Sequence, residues 1–217
     1  MKNARKRNML ISIILLVTFA AWTLAVQIVD VQPIGPNKSS VGFATLNEFV
    51  HTITGVNFSL YILTDWLGLV PIGAAVSFAV LGLTQWIKRK NLLKVDKSLL
   101  LLGIFYLIVI AVYAFFEFVI INYRPVLIDG NLEVSYPSST TLLVTTVMPT
   151  AMMQWKTRVK NKTLKTIVMS VTLLFIVFTV ICRFLSGVHW ITDIIGGILL
   201  SSGLVTAYCD LVFETKK

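Results

Sequence analysis

Apolar residues run along this chain in blocks of about twenty, separated by short polar segments, and each block is long enough to cross a bilayer as a helix. Residues 9–29 form the first block, about 21 residues at roughly 1.5 Å each. A signal peptide is the rival reading, but its apolar stretch would be about 7–15 residues. Residues 30–59 are mixed, with Pro33, Gly35, Pro36 and Asn37 marking a turn. Within them Phe43, Leu46, Val50 and Ile53 recur at helical spacing and predict a short helix lying in the interface plane. Further spans are expected over residues 61–87, 98–121, 138–155, 166–182 and 190–213. The pattern predicts an all-α fold: a six-span transmembrane bundle, with the interfacial helix before the second span and residues 1–217 forming a single domain.

Composition agrees with the pattern: 56% of residues are hydrophobic and 13% charged, against about 25% charged in a soluble domain. The net charge of +9 suggests nucleic-acid binding until the cations are placed. Four lie in residues 2–7, five in 88–97, five in 156–165 and two at 216–217, which is all but three of the nineteen. The positive-inside rule makes these segments cytoplasmic, so both termini are expected inside, which needs an even number of spans. The charge then reads as a topology signal with affinity for anionic lipid heads, and no nucleic-acid partner is expected. Cys182 and Cys209 fall near opposite faces, too far apart for a disulfide, and imply no metal site.

The three remaining cations are Lys38, Arg124 and Arg183, expected on the outer side. A charge at the membrane boundary against the topological bias needs a partner. Pairing with an outer carboxylate such as Glu117, Asp129 or Glu133 is one answer, and a bound anion is the other. His189 and Asp193 favour the anion. At i and i+4 they share a helix face, so the carboxylate can fix the imidazole tautomer and leave the other nitrogen free as a nucleophile. Ser186-Gly187 breaks the chain between Arg183 and His189 and lets both face one cavity. Two further segments reach the same face: Asn122-Tyr123-Arg124-Pro125, and Tyr136-Pro137-Ser138-Ser139-Thr140, a helix-start signature whose free N–H groups suit phosphate.

These residues resemble the type 2 phosphatidic acid phosphatase superfamily of membrane lipid phosphatases, whose motifs are K-x6-R-P, P-S-G-H and S-R-x5-H-x3-D. The third is matched at Arg183, His189 and Asp193, with Cys182 in place of its serine. The first is matched at Arg124-Pro125, with Glu117 at its lysine. The second is matched at Pro137-Ser138, with Ser139 and Thr140 at its Gly and His. The resemblance implies that His189 attacks phosphorus to form a phosphohistidine and that Asp193 orients it. Arg124, Arg183 and Ser138 are implied phosphate ligands, and Ser139 is placed with them. Glu117, Thr140 and Tyr123 are candidate modulators.

The expected function is removal of phosphate from a lipid mono- or diphosphate at the outer membrane face, with no cofactor or metal. Isoprenyl diphosphate, phosphatidylglycerophosphate and phosphatidate are candidate substrates. Thr140 leaves no general acid, a loss of roughly 10²–10⁴-fold, which favours a diphosphate whose leaving group needs little protonation. His51 is an alternative proton source. A lipid phosphotransferase and a non-catalytic lipid-binding protein are the other readings. The partners expected are a phosphorylated lipid and the bilayer, and oligomeric state is left open.

Overall fold

The computed structural model describes the backbone of residues 2–214 and the side chains of residues 6–212. Lys216, Lys217 and the side chains of Lys2 and Arg5 lie outside them. Among the described residues the chain is all-helical, with only isolated β-bridges. Its helices are α1 (Lys2–Ile28), α2 (Ala44–Thr54), α3 (Phe58–Leu67), α4 (Leu69–Arg89), α5 (Lys97–Phe118), α6 (Ser139–Arg158), α7 (Lys162–Leu185) and α8 (Ile191–Glu214).

Five segments are long and apolar enough to cross a membrane: α1, the α3–α4 stretch, α5, α7 and α8. The chain is therefore a multi-pass membrane protein. The expected fourth span, α6, is long enough but too polar to qualify by composition. Its position supplies the reason. It packs against α4, α5, α7 and α8, and ten of its twenty residues are buried, among them Thr140, Thr141, Thr146 and Thr150. A helix shielded from lipid by its neighbours need not be apolar. Two of its buried threonine hydroxyls bond within the helix: Thr146 donates to the Leu142 carbonyl and Thr150 to that of Thr146.

The expected second span is broken at Gly68. Pro71 has no N–H for the Leu67 carbonyl, so the helix cannot run through unchanged. The Gly68 amide turns back to Thr64 and Asp65 instead. α5 shows how the bundle meets lipid. Leu99, Leu102, Phe105, Val109 and Phe116 are buried along one stripe, while Ile104, Leu107, Ile108 and Ile110 on its other faces stay exposed. Helix α2 forms where an interfacial helix was expected, with Leu46, Phe49 and Ile53 exposed and Ala44 and Asn47 buried.

Close helix contacts depend on small residues, as expected where packing rather than water drives association. At Gly196 in α8, a Cβ would lie 2.7 Å from the Tyr136 ring. Tyr136 belongs to a core cluster with Phe19, Val26, Phe116, Leu142 and Leu200. This cluster underlies the site.

Candidate active site

Three chain segments meet above that cluster. Residues 119–138 fold back as a ribbon: the Arg124 amide donates to the Glu133 carbonyl, the Ser135 amide to that of Asn122, and Ile128 and Asn131 exchange backbone bonds. Asp129 and Gly130 turn the tip with φ of 49° and 79°, the positive values of a tight hairpin turn. The ribbon carries Arg124 back over the bundle and leads into α6 through the cis Tyr136–Pro137 bond.

Asp193 ties the three segments together. It is fully buried on the first turn of α8. Its Oδ2 accepts from the Trp190 amide at 3.0 Å and its Oδ1 from Asn122 Nδ2 at 3.3 Å. Its carbonyl accepts the Ser138 amide at 3.1 Å. The Trp190 indole donates to the Tyr123 carbonyl at 2.8 Å. The His189 ring lies with Nδ1 3.7 Å from Asp193 Oδ2, close but without a closed hydrogen bond. Gly187 has φ +64°, and a Cβ there would fall 1.8 Å from the Gly55 carbonyl oxygen, so this turn requires glycine.

His189 opens into a cavity of about 410 Å³, lined also by Tyr113, Glu117, Arg124, Glu133 and Ser139. His189 is 4% exposed and Arg124 8%. Both ring nitrogens of His189 and Nη1 of Arg124 are buried without a hydrogen-bond partner. Arg124 Nε sits 3.1 Å from Glu133 Oε2, an ion pair without hydrogen-bond alignment. Burial, reinforced by the charges of Arg183 and Arg124, holds the His189 imidazole well below its ordinary pKa. The ring is neutral at neutral pH, the form a nucleophile needs.

Arg183 approaches from α7 and is 1% exposed. Its Nη1 donates to Thr64 Oγ1 at 3.0 Å and to Asp65 Oδ1 at 2.9 Å, while its Nε is buried and unpartnered. Both guanidinium groups lie over the Tyr61 ring, Arg183 at 5.0 Å and Arg124 at 5.7 Å from its centroid.

The other expected site residues are dispersed. Ser139 lines the cavity, whereas Ser138 is fully buried beneath it with its hydroxyl accepting from Thr141. Thr140 faces a neighbouring, largely apolar cavity that Asp65 also lines. Tyr123 contributes its carbonyl to the scaffold. Glu117 lines the cavity and makes no ion pair among the described residues. His51 does not line it. Its Nε2 bonds the Gly187 carbonyl at 3.2 Å and its ring sits 5.5 Å from Trp190. Cys182 and Cys209 are unpaired.

Tyr61, Thr64 and Asp65 were not singled out by the sequence pattern, and Asn122 was named only as part of the 122–125 segment, with no role. Asp65 had a signal: it is the one charged residue between positions 49 and 87, and an ionisable residue inside a span marks function by default.

The overall fold matches a solved structure described as the first transmembrane PAP2 type phosphatidylglycerolphosphate phosphatase from Bacillus subtilis. The TM-score is 0.59 and the identity 18%, over 94% of this chain and 96% of that one. No curated protein matches the sequence significantly. Residues 117–217 match the family model of the PAP2 superfamily. The family model thus covers the part of the chain that carries Arg124, Arg183, His189 and Asp193, in line with the motif resemblance.

Proposed function

We propose that this protein is a membrane lipid phosphatase that removes a phosphate from a lipid mono- or diphosphate through a phosphohistidine at His189. One observation carries the reading. A neutral imidazole and a guanidinium, both more than nine-tenths buried, line one cavity, and each keeps side-chain nitrogens short of a well-formed hydrogen bond. Buried donors without partners are costly, and a phosphate oxygen is the partner that suits them. Arg124 Nη1 and Arg183 Nε hold the phosphate, Ser139 adds a hydroxyl, and His189 attacks phosphorus as the lipid oxygen leaves. Asp193 orients the ring through its contact with Nδ1 and stabilises the charge it gains. Water then attacks the phosphohistidine and frees phosphate.

Thr140 faces away from this cavity, so no side chain at that position protonates the leaving group. This favours a diphosphate, with an isoprenyl diphosphate first among the candidates and phosphatidylglycerophosphate and phosphatidate behind it. The solved neighbour's phosphatidylglycerolphosphate specificity is that protein's own. In the membrane α6 is the fourth of six spans, α2 lies in the interface, both termini are cytoplasmic and the cavity faces outward.

The test is phosphate release from isoprenyl diphosphate, phosphatidylglycerophosphate and phosphatidate by the parent and by His189→Ala. Release by the parent alone, with acid-labile phosphate trapped on His189, is expected. Equal release by both ends the catalytic reading. Lipid binding without release leaves a non-catalytic lipid-binding protein, the reading that Glu117 and Thr140 favour.

A further inference from the structure

A second recess lies far from the catalytic cavity. Helix α4 starts beside Asp65 and α5 ends beside the cavity at Glu117, so the 90–97 connection closes the opposite end of the bundle. The two ends are roughly 30 Å apart at 1.5 Å per helical residue. There α4 and α5 leave a slot of about 350 Å³ between them, and no charged side chain lines it. Phe78, Leu99 and Leu102, buried in the bundle core, form its floor. Trp86, Leu92 and Ile104 stand exposed along its walls. Gly82 and Gly103 face it from the two helices, and a Cβ at either would meet nothing within 4 Å. Glycine inside a helix costs stability relative to alanine, and no protein atom uses the space it leaves here.

Cations gather at the lip of this slot. Lys90 follows Trp86 by four residues on α4, Lys97 shares a face of α5 with Leu100 and Ile104, and Lys94 lies in the connection. All three are exposed, and none makes an ion pair among the described residues. Asp96 is the one carboxylate from residue 66 to residue 116. Arg89, Arg158 and Gln85 already engage it. Topological bias accounts for the lysines but not for the slot beneath them. Any acyl chain fits the slot, but an anionic head is what answers the lysines, as in basic recesses between spans generally. We infer that this recess seats one anionic phospholipid, with an acyl chain between α4 and α5 and its phosphate against Lys90, Lys94 and Lys97. The site is separate from the catalytic cavity and stands whether or not the phosphatase reading does. With the proposed topology its lipid comes from the cytoplasmic leaflet.

The probes are phosphatidylglycerol and phosphatidylcholine with identical acyl chains, each titrated into the purified, delipidated full chain in neutral detergent. Native mass spectrometry reads how many lipids stay bound. One retained phosphatidylglycerol is expected, held about tenfold more tightly than phosphatidylcholine. Gly103→Leu and, from the opposite wall, Gly82→Leu fill the slot from positions where added atoms meet no protein. Each should melt like the parent without lipid and weaken phosphatidylglycerol retention about tenfold or more. The combined Lys90→Gln, Lys94→Gln, Lys97→Gln variant should hold the two lipids within about twofold of each other. Equal or absent retention by the parent overturns the inference. A preference that both slot-filling variants leave intact also overturns it, because the lysines then attract lipid without a seat. Loss of retention in Arg124→Gln puts the lipid in the catalytic cavity instead. A parent dimer that Gly103→Leu dissolves puts a second copy in the slot, and either result overturns the inference.

Discussion

Asp193→Asn changes one atom and should disable the site twice over. Both carboxylate oxygens already accept from nitrogen donors: Oδ2 from the Trp190 amide at 3.0 Å, Oδ1 from Asn122 at 3.3 Å. An asparagine side chain has one acceptor, so in either orientation its NH₂ faces an N–H. The residue is fully buried, so no water takes up the lost bond. Losing a hydrogen bond to a charged acceptor costs about 1.5–3 kcal/mol. For a chain of this size that lowers the melting temperature by about 3–12 °C. The second effect is on the ring. Oδ2 lies 3.7 Å from His189 Nδ1, and replacing it removes the charge that fixes the tautomer and stabilises the developing imidazolium. Turnover should fall on the order of 10²–10⁴-fold, with a much smaller change in KM. The assay is a thermal melt in detergent beside phosphate release from the same preparation. A variant melting within about 1 °C of the parent, with turnover within about twofold, would refute both arguments.

Asp65→Asn frees Arg183 from a half-exposed carboxylate while Thr64 still holds it, so inhibition by orthovanadate should tighten roughly twofold to fivefold; weaker inhibition would mean that Asp65 positions the guanidinium instead. The chain has two histidines, so ¹⁵N imidazole spectra are simple to read. The His189 signals should keep the neutral pattern below the ordinary midpoint of about 6.5. Because its native pKa is depressed, the unfolded chain binds more protons below that midpoint, and the fold loses stability as pH falls; a His189 midpoint at or above 6.5 contradicts the burial argument. Gly187→Ala should destabilise by about 2–4 kcal/mol, from a positive φ and a Cβ 1.8 Å from the Gly55 carbonyl, and a wild-type melt would show that this turn relaxes freely. With the proposed topology, a cysteine at Asp129 reacts with an impermeant maleimide in intact cells and one at Lys160 only after permeabilisation, and the reverse pattern would invert the chain in the membrane.

Apolar runs made most helices legible, because a span that meets lipid must be apolar along its length. The same logic explains where the pattern was least plain. α6 meets protein on most sides, so its threonines survive where a lipid-facing helix would carry Leu or Ile. The break at Gly68 is written in Pro71, but an intact apolar run masked it. At the site, the spacing of His189 and Asp193 was readable because a helix brings i and i+4 together. Asn122 and Tyr61 were not readable, because their roles arise only when the ribbon and α3 fold over the other segments. Ser138 shows the converse. Its position at a helix start was legible, but not which way its hydroxyl turns, and it turns inward to Thr141.

Two arginines buried at the mouth of a membrane bundle need an account of how they persist without ligand. Each is held by a carboxylate that is itself about half exposed, Asp65 at 46% and Glu133 at 41%, and both share the face of Tyr61. Pairs exposed to that degree contribute about 1 kcal/mol or less. A phosphate that reaches the remaining nitrogens makes charge-assisted bonds that are roughly twice as strong as neutral ones, in a cavity from which water is partly excluded. The exchange from carboxylate to phosphate is thus favourable and needs only short side-chain movements. On the proposed reading, weak carboxylate partners keep the guanidinium groups in place between turnovers without competing strongly for the ligand. A fully buried carboxylate on either arginine would lock the site shut, and a site with no carboxylate would leave two like charges facing each other across one tyrosine ring.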